Sequence, residues 1–159
     1  MPTDWQGHYG ERRAKIRPLF LYGMYKKIMV AISNDEISRN ALREALHIAT
    51  AYGARICIVH AVAETDSNDQ SNDAGLELLK EAQSTAKALA VEPRLLEIDG
   101  QYGLNGVSEA ISNAVTEWQA DLLVVGTTGR RGLERLVIGS VAGKLVDTVD
   151  TSIFLGRLR

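Results

Sequence analysis

The residues whose types and spacing best suit chemistry lie in one segment, Gly126-Thr127-Thr128-Gly129-Arg130-Arg131-Gly132-Leu133-Glu134-Arg135-Leu136-Val137-Ile138-Gly139-Ser140-Val141. Gly126 and Gly129 lack a Cβ, so the backbone there can turn sharply and let a ligand lie against it. Gly139 and Ser140 open a predicted helix, whose first N–H groups have no intrahelical acceptor and sit at the positive end of its dipole, a setting that suits a phosphate. Arg130 and Arg131 bring two cations to the same turn. In combination the segment reads as an anion cradle. Taken singly, the glycines could serve only to turn the chain, Ser140 only to cap the helix and the arginines only to meet solvent.

Other chemistry-bearing residues are sparse. His60 closes an apolar run and reads as a hydrogen-bonded core residue, while His47 falls in an amphipathic stretch and His8 near the start; no two have metal-ligand spacing, so no protein metal site is expected. The single cysteine, Cys57, lies inside an apolar run, which excludes an intrachain disulfide and favours a reducing compartment. The pattern G-x-x-x-x-G-K-[ST] is absent and Lys144 does not fall in it, so any ATP turnover, with Ser140 or a neighbouring threonine as acceptor, is expected to be slow. Asp99, after the third predicted strand, could accept a phosphoryl group in a receiver-like domain. Asp35 stands alone, however, where such domains have an acidic pair, and Arg157 stands where they have a lysine.

These residues are positioned by an alternation of strands and helices. Lys27–Ile32 is a short apolar, β-branched run. Residues 35–52 carry apolar side chains at helical spacing and end at Gly53, a natural C-terminal cap; Ser33, Asn34 and Asp35 all qualify as its N-cap. Arg55–Val62 is a second continuous apolar strand, followed by a polar loop from Thr65 to Ser71. Leu76, Leu79, Ala82, Ala86 and Leu89 mark a second helix ending before Pro93, and Arg94–Ile98 a third strand. Leu104 to Trp118 reads as a third helix, Asp121–Val125 as a fourth strand, Ser140–Val149 as a fourth helix and Thr151–Leu155 as a fifth strand. Strands that are apolar throughout are buried on both faces, and alternation with helices requires crossover connections. The expected architecture is therefore an α/β, doubly wound five-stranded parallel sheet with helices on both faces. In such sheets ligands sit beyond the C-terminal strand ends, after strands one, two and four here.

At 159 residues and 45% hydrophobic content the chain suits one domain. A formal charge of −2 argues against a nucleic-acid partner held by counterion release. No apolar stretch approaches the roughly 20 residues of a membrane span and no signal-type segment opens the chain, so a cytoplasmic protein is expected. Residues 1–23 differ from the rest: Arg12, Arg13, Lys15 and Arg17 against Asp4 and Glu11 make them basic, and Trp5, Tyr9, Phe20 and Tyr22 follow no period. They read as an N-terminal extension, disordered or in contact with a partner, before a domain spanning 24–159.

The spacing G-x2-G-x9-G-S, carried by Gly126, Gly129, Gly139 and Ser140, resembles the nucleotide-binding signature of the ATP-binding branch of the universal stress proteins. Met24–Ile32 (MYKKIMVAI) is similar to the family's opening strand and Arg55–Val62 (RICIVHAV) to its second, and Asp121–Val141 is the most specific segment. The resemblance implies the adenine nucleotide alpha-hydrolase-like, Rossmann-like sandwich with strand order 3-2-1-4-5. It also implies a site for ATP, or for AMP or ADP, with Mg²⁺ carried in by the phosphates. Gly126, Gly129, Arg130, Gly139, Ser140 and Val141 would wrap ribose and phosphates; Ala31, Ile32, Ser33 and the backbone around Ala61 would meet the base. A dimeric sensor or regulator, paired through Ser152, Ile153, Phe154, Leu155 and Gly156 and read by a protein partner, is implied as well. The chain departs from the pattern at Ser33, where relatives usually carry aspartate. A hydroxyl cannot supply the charged two-oxygen acceptor that suits ribose hydroxyls or a base amino group, which leaves open a family branch acting without nucleotide. Asp35 could substitute, but is read first as the helix cap.

Overall fold

The computed structural model describes residues 25–64, 69–87, 89–99, 102–127 and 139–158. Its elements are β1 (Lys27–Ala31), α1 (Glu36–Tyr52), β2 (Arg55–Glu64), α2 (Asp69–Thr85), β3 (Val91–Asp99), α3 (Gly103–Trp118), β4 (Leu122–Gly126), α4 (Ser140–Thr148) and β5 (Ser152–Gly156). The strands form one all-parallel sheet in the order β3-β2-β1-β4-β5, the doubly wound arrangement that the alternation implies. The extension at 1–23 and the first part of the polar loop, 65–68, lie outside the described residues.

Side-chain alternation splits the core in two. Ile28, Val30 and Ile32 of the β1 segment, with Ile56 and Ile58 of β2 and Leu122 and Val124 of β4, face α1 and α2 and pack on Ala41, Leu42, Ala45, Ala49, Leu79 and Ala82. Met29, Cys57, Val59, Leu123 and Val125 face the other way, onto Ile111, Ala114, Val115 and Trp118 of α3 and Ala142 and Leu145 of α4. Central strands must be apolar at both parities for this, and β1, β2 and β4 are. Each fully buried aliphatic side chain contributes about 1.5–3 kcal/mol relative to exposure.

Helix ends follow their chemistry. Asp35 is the N-cap of α1, its Oδ1 accepting from the Ser38 N–H at 2.7 Å, so of the three candidate caps the carboxylate takes the position. Gly53 closes α1 with φ 65°, a left-handed conformation that glycine adopts without strain. At the opposite end of the sheet Asp121 precedes β4 and its carboxylate accepts from the backbone N–H groups of Lys26 and Lys27 at 2.8 and 3.1 Å, fastening β4 to the start of β1.

Several boundaries differ from the sequence expectation: α2 ends at Thr85, so Ala86 and Leu89, expected in it, follow the helix, and β2 runs on to Glu64. β3 begins at Val91 and contains Pro93, which sits opposite Ile58. Because β3 is an edge strand, the ladder donor that proline lacks is not needed on its open side. α2 begins at Asp69, so 69–71, part of the expected loop, are helical; Asp, Ser and Asn favour a helix start as readily as a loop. Asp99 closes β3 inside the ladder, paired with Glu64, rather than following the strand as a free acceptor position.

Candidate functional site

The order of the strands reverses between β1 and β4, and the chain leaves these neighbours in opposite directions, to α1 on one face and towards α4 on the other. Such a divergence leaves a crevice outside the carboxyl ends. A cleft of about 310 Å³ occupies that position. Its floor is apolar, formed by Ala31, Val59, Ala61 and Val125 at the strand ends. One wall is the first half of α3, through Leu104, Val107 and Ile111; the other is the β1–α1 turn, through Ile32, Ser33, Asp35 and the first turn of α1. The start of α4, Gly139 to Ala142, closes one end.

The α4 end has backbone donors free. Gly139 is the N-cap and no side chain caps the helix, while the first intrahelical bond runs from the Gly143 N–H to the Gly139 carbonyl at 2.8 Å. The N–H groups of Ser140, Val141 and Ala142 thus lack intrahelical acceptors beside the cleft. Ser140 is the first helical residue, and the cap position expected of it belongs to Gly139. Thr127, 3% exposed, organises this corner: its N–H donates to the Gly156 carbonyl at 2.8 Å and its Oγ1 accepts from the Gly139 N–H at 3.3 Å. It thereby ties together the end of β4, the edge strand β5 and the α4 N-terminus.

The opposite side is equally fixed. The Ile32 N–H donates to the Val59 carbonyl at 2.9 Å, the Ile32 carbonyl lies 2.8 Å from His60 Nδ1, and the Ser33 N–H donates to Ser38 Oγ at 2.8 Å. His60 is hydrogen-bonded as expected but half-buried rather than part of the core, and it braces the turn after β1. Cys57 lies fully buried below the floor, and burial pushes its thiol up to about 12, with Arg94 as the main opposing influence; it is no nucleophile for this cleft.

Of the residues singled out by sequence, Ala31, Ile32, Ser33, Ala61, Gly126, Gly139, Ser140 and Val141 all line this cleft. Gly129 and Arg130 lie outside the described residues. The reason for Gly126 differs from the expected sharp turn. It ends β4 in the ladder opposite Gly156, and a Cβ there would come within 2.5 Å of Ile37 Cγ2, so its missing side chain makes room for α1. Sequence reasoning missed Thr127 and the α3 wall. Leu104, 61% exposed at the start of a helix, carried a faint signal of an uncovered apolar surface.

The fold and cleft define an α/β protein of the doubly wound class with a strand-end ligand crevice. The profile of the universal stress protein family matches residues 24–155, and the chain belongs to that family. A universal stress protein of Methanocaldococcus jannaschii is 28% identical over 142 residues, covering 83% of this chain and 82% of the relative. Among solved structures, a universal stress protein in complex with cAMP superposes with a TM-score of 0.68 at 23% identity, covering 84% of this chain and 97% of that one. The universal stress protein from Archaeoglobus fulgidus in complex with dAMP gives a TM-score of 0.63 at 19% identity, covering 84% and 99%.

Proposed function

We propose that this chain binds ATP or a related adenine nucleotide, AMP or ADP, in the strand-end cleft and acts as a dimeric sensor or regulator in stress responses. The observation that carries the reading is the pairing, in one cleft, of an apolar floor suited to a flat ring with the uncapped N-terminus of α4 suited to phosphate. The cAMP and dAMP complexes of structurally similar family members support the ligand class. Ser140 and Val141 would hold phosphate through backbone N–H groups, with the Ser140 hydroxyl, Gly129 and Arg130 contributing from the same segment. Mg²⁺ would enter with the phosphates.

Binding, not turnover, is the proposed activity. Among the described lining residues the only carboxylate is Asp35, which is already engaged as a helix cap. The dimer would form through β5, an edge strand carrying Phe154 at 37% exposure, and a protein partner would read the occupied state. Residues 1–23 are read as an extension to a stress-protein domain spanning 24–159, and the reduced Cys57 fits a cytoplasmic setting. No helix among the described residues is long and apolar enough to cross a membrane.

Calorimetric titration of Mg²⁺-ATP into the protein, beside a Gly129→Val, Ser140→Ala double variant, tests the reading. Saturable binding that the variant loses is the expected result. An unmodified protein that binds no adenine nucleotide would overturn it.

A further inference from the structure

A second hollow lies on the other side of the β1–α1 turn, between α1 and α2, and encloses about 200 Å³. Ile32, Ser33 and Ser38 line both hollows, so the turn, closed on itself by the Ser33 N–H to Ser38 Oγ bond at 2.8 Å, is the partition between them. The nucleotide reading gives this groove no use.

Its floor is aliphatic: Ile32, Leu42 and Ala82 are buried and Leu78 is half-buried. Its two walls carry opposite charge. On α1, Arg39 and Arg43 are exposed and stand one turn apart, a spacing at which like charges oppose each other. Each has only a neutral side-chain partner, Arg39 Nη2 donating to Asn34 Oδ1 at 3.1 Å and Arg43 Nη2 to Asn40 Oδ1 at 3.3 Å, so most donors of both guanidinium groups stay open. On α2, the exposed Glu81 lines the same groove, and no ion pair among the described residues includes it or either arginine. The walls therefore hold both signs of charge without spending them on each other. That arrangement matches a ligand with a carboxylate and an ammonium at one end and an aliphatic body at the other. The volume, below the roughly 300–1,000 Å³ of sites for drug-sized ligands, limits the occupant to a small molecule.

We infer that the α1–α2 groove binds a free α-amino acid with a branched aliphatic side chain, its carboxylate held by Arg39 and Arg43, its ammonium by Glu81 and its side chain on Leu42, Leu78 and Ala82. A simple fatty carboxylate would leave Glu81 facing an anion, and a phosphate would leave the aliphatic floor unused. The site goes beyond the nucleotide reading and does not depend on it.

Calorimetric titration of L-leucine into the full chain tests the assignment, beside 4-methylpentanoate, which is leucine without its ammonium, and 3-methylbutylamine, which is leucine without its carboxylate. Leucine should bind saturably, and each analogue should be weaker by about tenfold or more, since each lacks one charge-assisted bond. An Arg39→Gln, Arg43→Gln double variant should lose leucine. Glu81→Gln should weaken leucine by about tenfold yet tighten 4-methylpentanoate, because it removes a like charge; a merely structural role for Glu81 would not reverse the order of the two ligands. All three positions are exposed, so the variants should keep the thermal midpoint within about 2 °C. Absence of saturable leucine binding, leucine binding unchanged in the arginine variant, or 4-methylpentanoate binding the unmodified chain as tightly as leucine would each overturn the assignment. None of these results bears on adenine-nucleotide binding, which its own titration decides.

Discussion

Replacing Gly126 with alanine probes the contact on which the cleft's geometry depends. The added Cβ would lie 2.5 Å from Ile37 Cγ2, 3.2 Å from the Ile37 carbonyl oxygen and 3.3 Å from its carbonyl carbon. The first of these is about 1 Å inside ordinary carbon–carbon contact. Rotating the Ile37 side chain removes only that one, because the other two are backbone atoms of α1. The helix has little room to retreat, since Gly156, the register partner of Gly126, supports it in the same way: a Cβ there would lie 3.3 Å from Ala41 Cα. The two glycines form a shelf on which α1 rests. Overpacking of this kind costs about 1–3 kcal/mol, which for a chain of this size lowers the thermal midpoint by roughly 2–12 °C. Chemical denaturation of Gly126→Ala, Ile37→Ala and the double variant measures it. Trimming Ile37 relieves the worst contact, so the two changes should be non-additive by about 0.5–3 kcal/mol. A Gly126→Ala protein within about 0.3 kcal/mol of the unmodified chain, or strict additivity in the cycle, would refute the shelf.

Two further outcomes are expected. Glu92 accepts from Trp118 Nε1 at 2.9 Å and from Arg94 at 2.7 Å, and these bonds, the Trp118 bond foremost, hold its carboxyl below the ordinary glutamate value. A depressed folded-state pKa stabilises the protein above the unfolded value and loses that contribution as pH falls through the folded one. The stability advantage over Glu92→Gln, followed by Trp118 fluorescence, should therefore be full near neutrality and shrink once the pH drops below about 4; an advantage that does not change with pH would exclude the effect. For the β5 pairing, Phe154→Lys should halve the mass measured by light scattering, since a buried lysine at the centre of a two-fold edge contact faces its own copy; an unchanged dimer would place the interface elsewhere.

Much of the scaffold was legible because its physics is local. The runs at β1, β2 and β4 are apolar at both parities, as strands sandwiched between helix layers must be, and the amphipathic spacing of α1 and α3 marks their buried faces. Pro93 hid the start of β3, because a proline is tolerated only through the strand's edge position, a property of the assembled sheet. The lining of the cleft was legible at the start of α4, at Gly139 and Ser140. It was not legible where distant segments converge. Nothing near Leu104, Val107 or Ile111 indicates that α3 will face the end of β1, and Thr127 matters through partners 12 residues ahead, at Gly139, and on the edge strand, at Gly156. At Asp35 the cap reading holds, its Oδ1 accepting from the Ser38 N–H.

The Asp121 clamp on Lys26 and Lys27 also bears on how the chain is made. Among the described strands β1 leaves the ribosome first, yet one of its two edges is covered by β4, and Lys27 and Asp121 are separated by 94 residues. At usual elongation rates of about 5–20 residues per second, the middle strand of the finished sheet waits roughly 5–20 s with an open, apolar edge. The segment from β1 to β3 can pair during that interval, whereas the half carrying α4 cannot join until β4 has been made. Substitutions that weaken the Asp121 clamp should therefore reduce soluble yield more than they reduce the stability of protein already folded.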